Sequence, residues 1–259
     1  MDPKVLREIA ESFYTFFRTG HFVPVIEDLS VLSTEDAYQC QEIYAMLRYS
    51  DGDRPAGYKV GCTSAAIRRQ FGFNNPICGR LMNPGVFDEG IPLDTKDFHS
   101  LAIEPEFVLT IKNDLSNDHA SDEELLESIE YVQPGIELHH YLYHYPTPTR
   151  QELICSNGIH AGQVIGKTKV DSREIHWTLE GVAVFINGEL MSSGVAAEIM
   201  GGPLESLRFL IKHLKQTGEV LKAGEKVIPG SATPLIPVKS GDKVTCSFTN
   251  AGSVTVQFD

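Results

Sequence analysis

The sequence predicts an α+β fold. It would be a mixed, mainly antiparallel, curved β-sheet with peripheral helices, preceded by a helical segment over residues 1–55. Three observations carry this. Apolar residues in the first fifty positions recur at helical spacing. From Gly57 onward, short β-type runs alternate with Gly and Pro punctuation. The strands and helices of that second unit, residues 56–259, do not alternate regularly, which argues against a doubly wound sheet or a TIM barrel.

The elements follow in order. Val5, Ile9, Phe13, Phe16 and Phe17 make one helical stripe, and Gly20 is its stop signal. Ser33 with Asp36 resembles a capping box opening a second helix, whose buried stripe would be Ala37, Cys40, Ile43, Tyr44 and Leu47. GYKVG, AIEPEFVLTI, AVFINGEL, KVIPGS, KVTCSF and VTVQF read as strands, and Asn187-Gly188 is a two-residue hairpin signal. Two helices interrupt them: Asp122 to about Tyr131 with Ser121 as N-cap, and Pro203 to about Gln216 with Gly218 just past the end.

Composition narrows the function. The chain has 259 residues and a net charge of −13, so it lacks the basic balance of a nucleic-acid binder. Its five cysteines, Cys40, Cys62, Cys78, Cys155 and Cys246, are odd in number and widely spaced, as expected of free thiols in a reducing cytosol. The N-terminus carries charges throughout, unlike a signal peptide, and no apolar run is long enough for a membrane span. The expectation is a cytoplasmic protein.

The chemistry concentrates in Ile103-Glu104-Pro105-Glu106-Phe107. Residues i and i+2 of a strand face one side, roughly 6.6 Å apart, so Glu104 and Glu106 project together and repel unless neutralised. Hard oxygen ligands suit Mg²⁺ or Mn²⁺ better than zinc. Pro105 between them fits an edge strand or a bulge. Glu137 lies inside an apolar run, Pro134-Gly135-Ile136-Glu137-Leu138, where a lone acid is costly to bury without a partner. Lys59, flanked by glycines and apolar residues, fits a pocket position from which it could supply charge or move a proton. His139, His140 and His144 read as a half-buried loop or interface stretch rather than as metal ligands. Phosphate-loop, G-x-S-x-G and H-E-x-x-H patterns are absent from the sequence.

These segments together resemble the fumarylacetoacetate hydrolase superfamily, in its branch of 2-keto-4-pentenoate hydratases and 2-oxo-3-hexenedioate decarboxylases. The likeness runs from about Ala37 to the C-terminus. It rests on GYKVGCTS (57–64), IEPEFVL (103–109), YVQPGIEL (131–138), NGELMSSG (187–194), GGPLESLRFL (201–210), VKSGDKVTCSF (238–248) and GSVTVQF (252–258). The resemblance implies a β-roll like the C-terminal domain of fumarylacetoacetase. It implies Mg²⁺ or Mn²⁺ on Glu104, Glu106 and Glu137, catalysis by Lys59, and substrate contacts from Lys59, Asn157 and Ser231. The implied substrate is a small 2-hydroxydienoic or 2-oxo acid, chelated through its carboxylate and C2 oxygen. The implied assembly is a homodimer or a set of dimers, with neither nucleic acid nor membrane as partner.

The chain departs from the family pattern at three places. Ile77 stands where hydratases often carry an acid, Ser156 where the family has Asp before Asn157, and Gly202 where the family has His. Hydration of 2-hydroxy-2,4-dienoates is the leading expectation. The alternatives are a decarboxylase, favoured by Ile77; an acylpyruvate-type C–C hydrolase, with His160 as a base whose acidic partner the sequence does not name; and a metal-binding homologue without turnover, favoured by Ser156.

Overall fold

The computed structural model describes residues 1–65, 68, 69 and 72–259. Helix α1 (Pro3–Thr19) starts at Asp2, whose carboxylate accepts from the Lys4 N–H at 2.9 Å. It ends at Gly20, left-handed with φ 74°, which closes the last turn onto the Phe16 carbonyl. Helix α2 (Thr34–Ser50) carries the expected capping box between Ser33 and Asp36. Its buried face is rotated from the expected stripe. Leu47 is half-buried, whereas Gln41 and Arg48 are buried. Both polar side chains are tolerated because both are partnered. The Gln41 amide donates to the Cys78 and Ile154 carbonyls at 2.9 Å, and Arg48 pairs with Asp53 at 2.6 Å.

The strands in chain order are β1 (Arg54–Gly61), β2 (Ile77–Asn83), β3 (Val86–Asp88), β4 (Leu101–Ile111), β5 (Ile129–His140), β6 (His160–Ile165), β7 (Gly181–Ile186), β8 (Glu189–Val195), β9 (Lys226–Ile228), β10 (Ile236–Pro237), β11 (Lys243–Phe248) and β12 (Gly252–Gln257). One sheet runs β2-β1-β9-β4-β5-β6-β3, with β10 also on β4. A second runs β12-β11-β7-β8. Among the named strands only the β1–β9 and β3–β6 pairings are parallel, so the fold is the expected mixed, mainly antiparallel α+β arrangement. The Asn187-Gly188 turn joins β7 to β8 with both residues at positive φ, as a twist-matched hairpin turn requires.

Several expectations needed correction. The helix expected to reach Tyr131 stops at Ser128 (α3, Asp122–Ser128), because Ile129 and Tyr131 already pair with Ile111 and Thr110. Helix α4 (Arg150–Cys155), capped by the Thr149 hydroxyl, has no long periodic stripe to announce it. Helix α5 (Pro203–Thr217) ends at Gly218 as expected. Strand β4 lies inside the sheet, and Pro105 sits opposite Ile136 without a bulge. On its other side β4 meets β10 at Ala102 and Ile103 and β9 at Leu109 and Thr110, so Pro105 falls between the two short neighbours. A missing N–H is harmless there. His139 and His140 are not loop residues: they end β5 and are buried.

The main core packs both sheets around Phe107, Phe248, Val184 and Leu207. A second apolar cluster joins Leu6, Ile9 and Phe13 of α1 and Tyr44 of α2 to Ile77, Leu153, Ile154 and Ile159. Each fully buried Phe or Leu contributes about 1.5–3 kcal/mol. No described helix is long and apolar enough to cross a membrane.

His144 stacks on Phe22 with ring centroids 3.9 Å apart and meets Phe16 edge-on at 4.2 Å. Burial, with help from His99, lowers its pKa to about 4. The unfolded chain therefore takes a proton near pH 6.5 that the folded chain refuses until about pH 4. Stability from this group falls as pH drops through that window. A His144→Phe variant lacks the titration, so its advantage over the parent in urea midpoint should grow between pH 7 and pH 5. A constant gap would contradict a neutral His144.

Candidate metal centre and substrate cavity

Strand register assembles the site. Glu104 lies directly opposite Glu137, and Glu106 opposite Gly135, so three carboxylates share one face of the β4–β5 pair. Like charges directly opposed across strands destabilise a sheet unless something neutralises them. Lys59 on β1 is the one ammonium lining the same cavity among the described residues, so three carboxylates, when all are ionised, leave an excess of two negative charges. A single divalent cation balances it.

Lys59 is 2% exposed. Its Nζ donates to Glu137 Oε1 and, at 3.2 Å, to the Gly158 carbonyl. The facing residue on β2 is Gly79, where a Cβ would come within 2.9 Å of the lysine Cγ. That close approach gives the buried lysine stem its room. Burial would raise the Glu137 carboxyl, but Lys59, His139 and His160 hold it well below the usual carboxylate range. Glu106 goes the other way. Burial first, then Glu137 and Glu104, push it well above its usual value, against the pull of Lys59 and one bond from the Gly230 N–H at 2.9 Å. Gly230 is a required glycine, since its φ is +119° and a Cβ there would lie 2.3 Å from the Thr63 hydroxyl.

Glu104, Glu137 and His139 each bring one ligand atom within 4.8 Å of the others. Glu106 stands outside this compact set, and its Oε2 accepts from the Gly230 N–H. His139 Nε2 is 3.2 Å from Glu104 and 3.5 Å from Glu137, but neither ring nitrogen makes a hydrogen bond. An orphaned buried imidazole, a buried carboxyl with raised proton affinity and opposed glutamates all fit a hard divalent cation. Sequence reading set His139 aside. The signal was present: Glu137 and His139 are i and i+2 on one strand, the same spacing that singled out Glu104 and Glu106.

The cavity holds about 200 Å³, and Ser231 lines it with Thr63 and Thr233. Asn157 does not line it. Its side chain accepts from the Arg80 N–H at 2.7 Å and donates to the Arg80 carbonyl at 2.9 Å, imitating a strand partner for β2. In this structure the Asn157 side chain thus serves the backbone of β2. His160 Nδ1 lies 2.7 Å from Glu137 Oε1, and burial lowers its pKa to about 4, so the neutral ring serves as a hydrogen-bond donor behind that carboxylate. It borders a separate small space with Phe13, Phe17 and Tyr44, not the carboxylate cavity.

No family model matches the chain. The chain is nevertheless similar over its whole length to curated 2-keto-4-pentenoate hydratases and to the solved structure of a 4-oxalocrotonate decarboxylase. The 2-keto-4-pentenoate hydratase of Paraburkholderia xenovorans LB400 is 27% identical over 260 residues, covering 100% of this chain and 97% of that protein. The 2-hydroxyhexa-2,4-dienoate hydratase of Comamonas testosteroni is 25% identical, over 99% and 98% of the two chains. The 4-oxalocrotonate decarboxylase of Pseudomonas putida G7, solved with magnesium and adipate, superposes with a TM-score of 0.93 at 25% identity, over 100% and 99% of the chains.

Proposed function

We propose that the protein is a hydro-lyase that adds water to 2-hydroxy-2,4-dienoates, with Mg²⁺ or Mn²⁺ on Glu104, Glu106 and Glu137. The observation that carries the reading is the opposed carboxylate group with one lysine in a small cavity. A bound divalent ion supplies Lewis acidity and charge neutralisation for a 2-oxo acid head.

The protein's own residues do the rest. Lys59 holds three N–H donors, of which two go to Glu137 and Gly158; the third can meet the substrate's C2 oxygen as negative charge gathers there. The 2-hydroxyl proton leaves and a proton arrives at C5, giving the conjugated enone. Water then adds across C3–C4, hydroxyl to C4 and proton to C3. His160 fixes Glu137 from behind, and Ser231 borders the cavity with its hydroxyl. Working in the cytoplasm as a dimer or a set of dimers remains part of the proposal. Because His160 faces another space, a hydrolase that relies on it as base is the weaker reading.

Incubation with Mg²⁺ and 2-hydroxypenta-2,4-dienoate should yield a 4-hydroxy-2-oxo acid; release of CO₂ from a dicarboxylic dienoate without any hydration would favour the decarboxylase. The ligand set has its own test. Glu106→Gln should weaken Mn²⁺ binding in calorimetry by more than about tenfold, while His139→Gln, an outer partner, costs less. The reverse order would make His139 the third ligand.

A further inference from the structure

Beyond the charged group, the cavity wall is neutral. Ile77, Leu153 and Ile159 line it at 1%, 4% and 7% exposure, and Tyr143 and Leu235 line it while packing on the same apolar cluster. Ile77 lies close to the lysine end: its Cδ1 is 3.6 Å from where a Cβ on Gly158 would stand, and Lys59 Nζ is 3.2 Å from the same point.

The supply of cations decides what such a wall can accept. Among the described lining residues Lys59 is the only lysine or arginine, and it is already committed to Glu137. Arg68, five residues beyond the lining Thr63, donates to the Cys62 and Thr63 carbonyls at 3.1 and 2.5 Å. Arg150 donates to the Thr34 hydroxyl at 2.9 Å and the Pro76 carbonyl at 3.1 Å. Arg69, next to Arg68, is exposed. The four residues outside the described set, at positions 66, 67, 70 and 71, are Ala, Ile, Gln and Phe and carry no charge. A carboxylate on the substrate's tail would meet isoleucine and leucine with no lysine or arginine but Lys59 among the described lining residues, in a cavity already rich in anions. Such burial is strongly unfavourable.

We infer that the site selects 2-oxo acids and dienoates with a short, uncharged, apolar tail and rejects those with a second carboxylate. Ile77, Leu153, Ile159 and Leu235 set that specificity. The inference rests on the reading of the site as one for 2-oxo acid heads, but not on hydration.

The test uses two five-carbon probes, 2-oxopentanoate and 2-oxoglutarate, titrated calorimetrically into the Mn²⁺-loaded full chain. 2-Oxopentanoate should bind about tenfold or more tightly, the scale at which an apolar pocket discriminates. Equal binding, tighter 2-oxoglutarate, or no binding of either would overturn the inference. Leu235 is half-buried, so Leu235→Arg should fold and shift the preference toward 2-oxoglutarate by at least several-fold; an unmoved ratio would also count against it. Turnover separates the two readings. If no dienoate is hydrated while the binding order holds, hydration fails and the tail rule stands. If a dicarboxylic dienoate is hydrated as fast as a methyl-ended one, the tail rule fails and hydration stands.

Discussion

Glu137→Gln should lose Mn²⁺ affinity by at least about 100-fold, beyond the range seen when only an outer partner of a metal ligand is removed, and should show no measurable turnover. Glu137 joins more parts of the site than any other residue. It faces Glu104 across the strands, accepts from Lys59, and accepts from His160 at 2.7 Å. An amide keeps the shape but not the charge. Lys59 would then be a buried cation without its partner, a change that costs about 3–5 kcal/mol in comparable pairs. A fall in thermal midpoint should therefore accompany the loss of metal, read by calorimetry on the same sample. Retention of full Mn²⁺ affinity would remove Glu137 from the centre.

Lys59→Met should leave Mn²⁺ bound and slow turnover by a factor on the order of 10²–10⁴, the usual worth of a positioned proton donor or charge stabiliser. Methionine fills the space of the buried stem beside Gly79 but donates nothing. The metal-free variant should be less stable than the parent, because Glu137 keeps only its histidine neighbours against its burial. Added Mn²⁺ should restore much of that stability by binding the native state alone. Electron paramagnetic resonance of Mn²⁺ measures retention of the ion, and a dienoate assay measures the rate. An unchanged rate would leave Lys59 a structural counter-charge only.

Much of this was legible in the sequence, for reasons that differ from residue to residue. The two-residue period of a strand put Glu104 and Glu106 on one side before any coordinates, and the caps at Ser33, Ser121 and Gly218 marked helix ends through short-range chemistry. Long-range register is a different matter. That Glu104 would face Glu137, or that His160 would supply Glu137 with a hydrogen bond, depends on pairings 33 and 23 residues apart that no local pattern encodes. Asn157 shows the limit of motif reading. Its position in a family motif suggested a ligand, yet its amide, in a left-handed turn with φ 56°, completes the hydrogen bonding of Arg80. His139 and His140 were misjudged because a histidine-tyrosine run looks like a loop, whereas β5 continues through both.

The apolar cluster shared by α1, α2 and the cavity wall has one more consequence. Phe13 and Tyr44 pack in the same unit as Ile77, Leu153 and Ile159, so the N-terminal helices act as the backing plate of a gauge that measures substrate length. Trimming Phe13 or Tyr44, tens of residues in sequence from Glu104, Glu106 and Glu137, should loosen the gauge before it dulls the chemistry: the preference among alkyl chain lengths would broaden while the rate on the best-fitting substrate changed little.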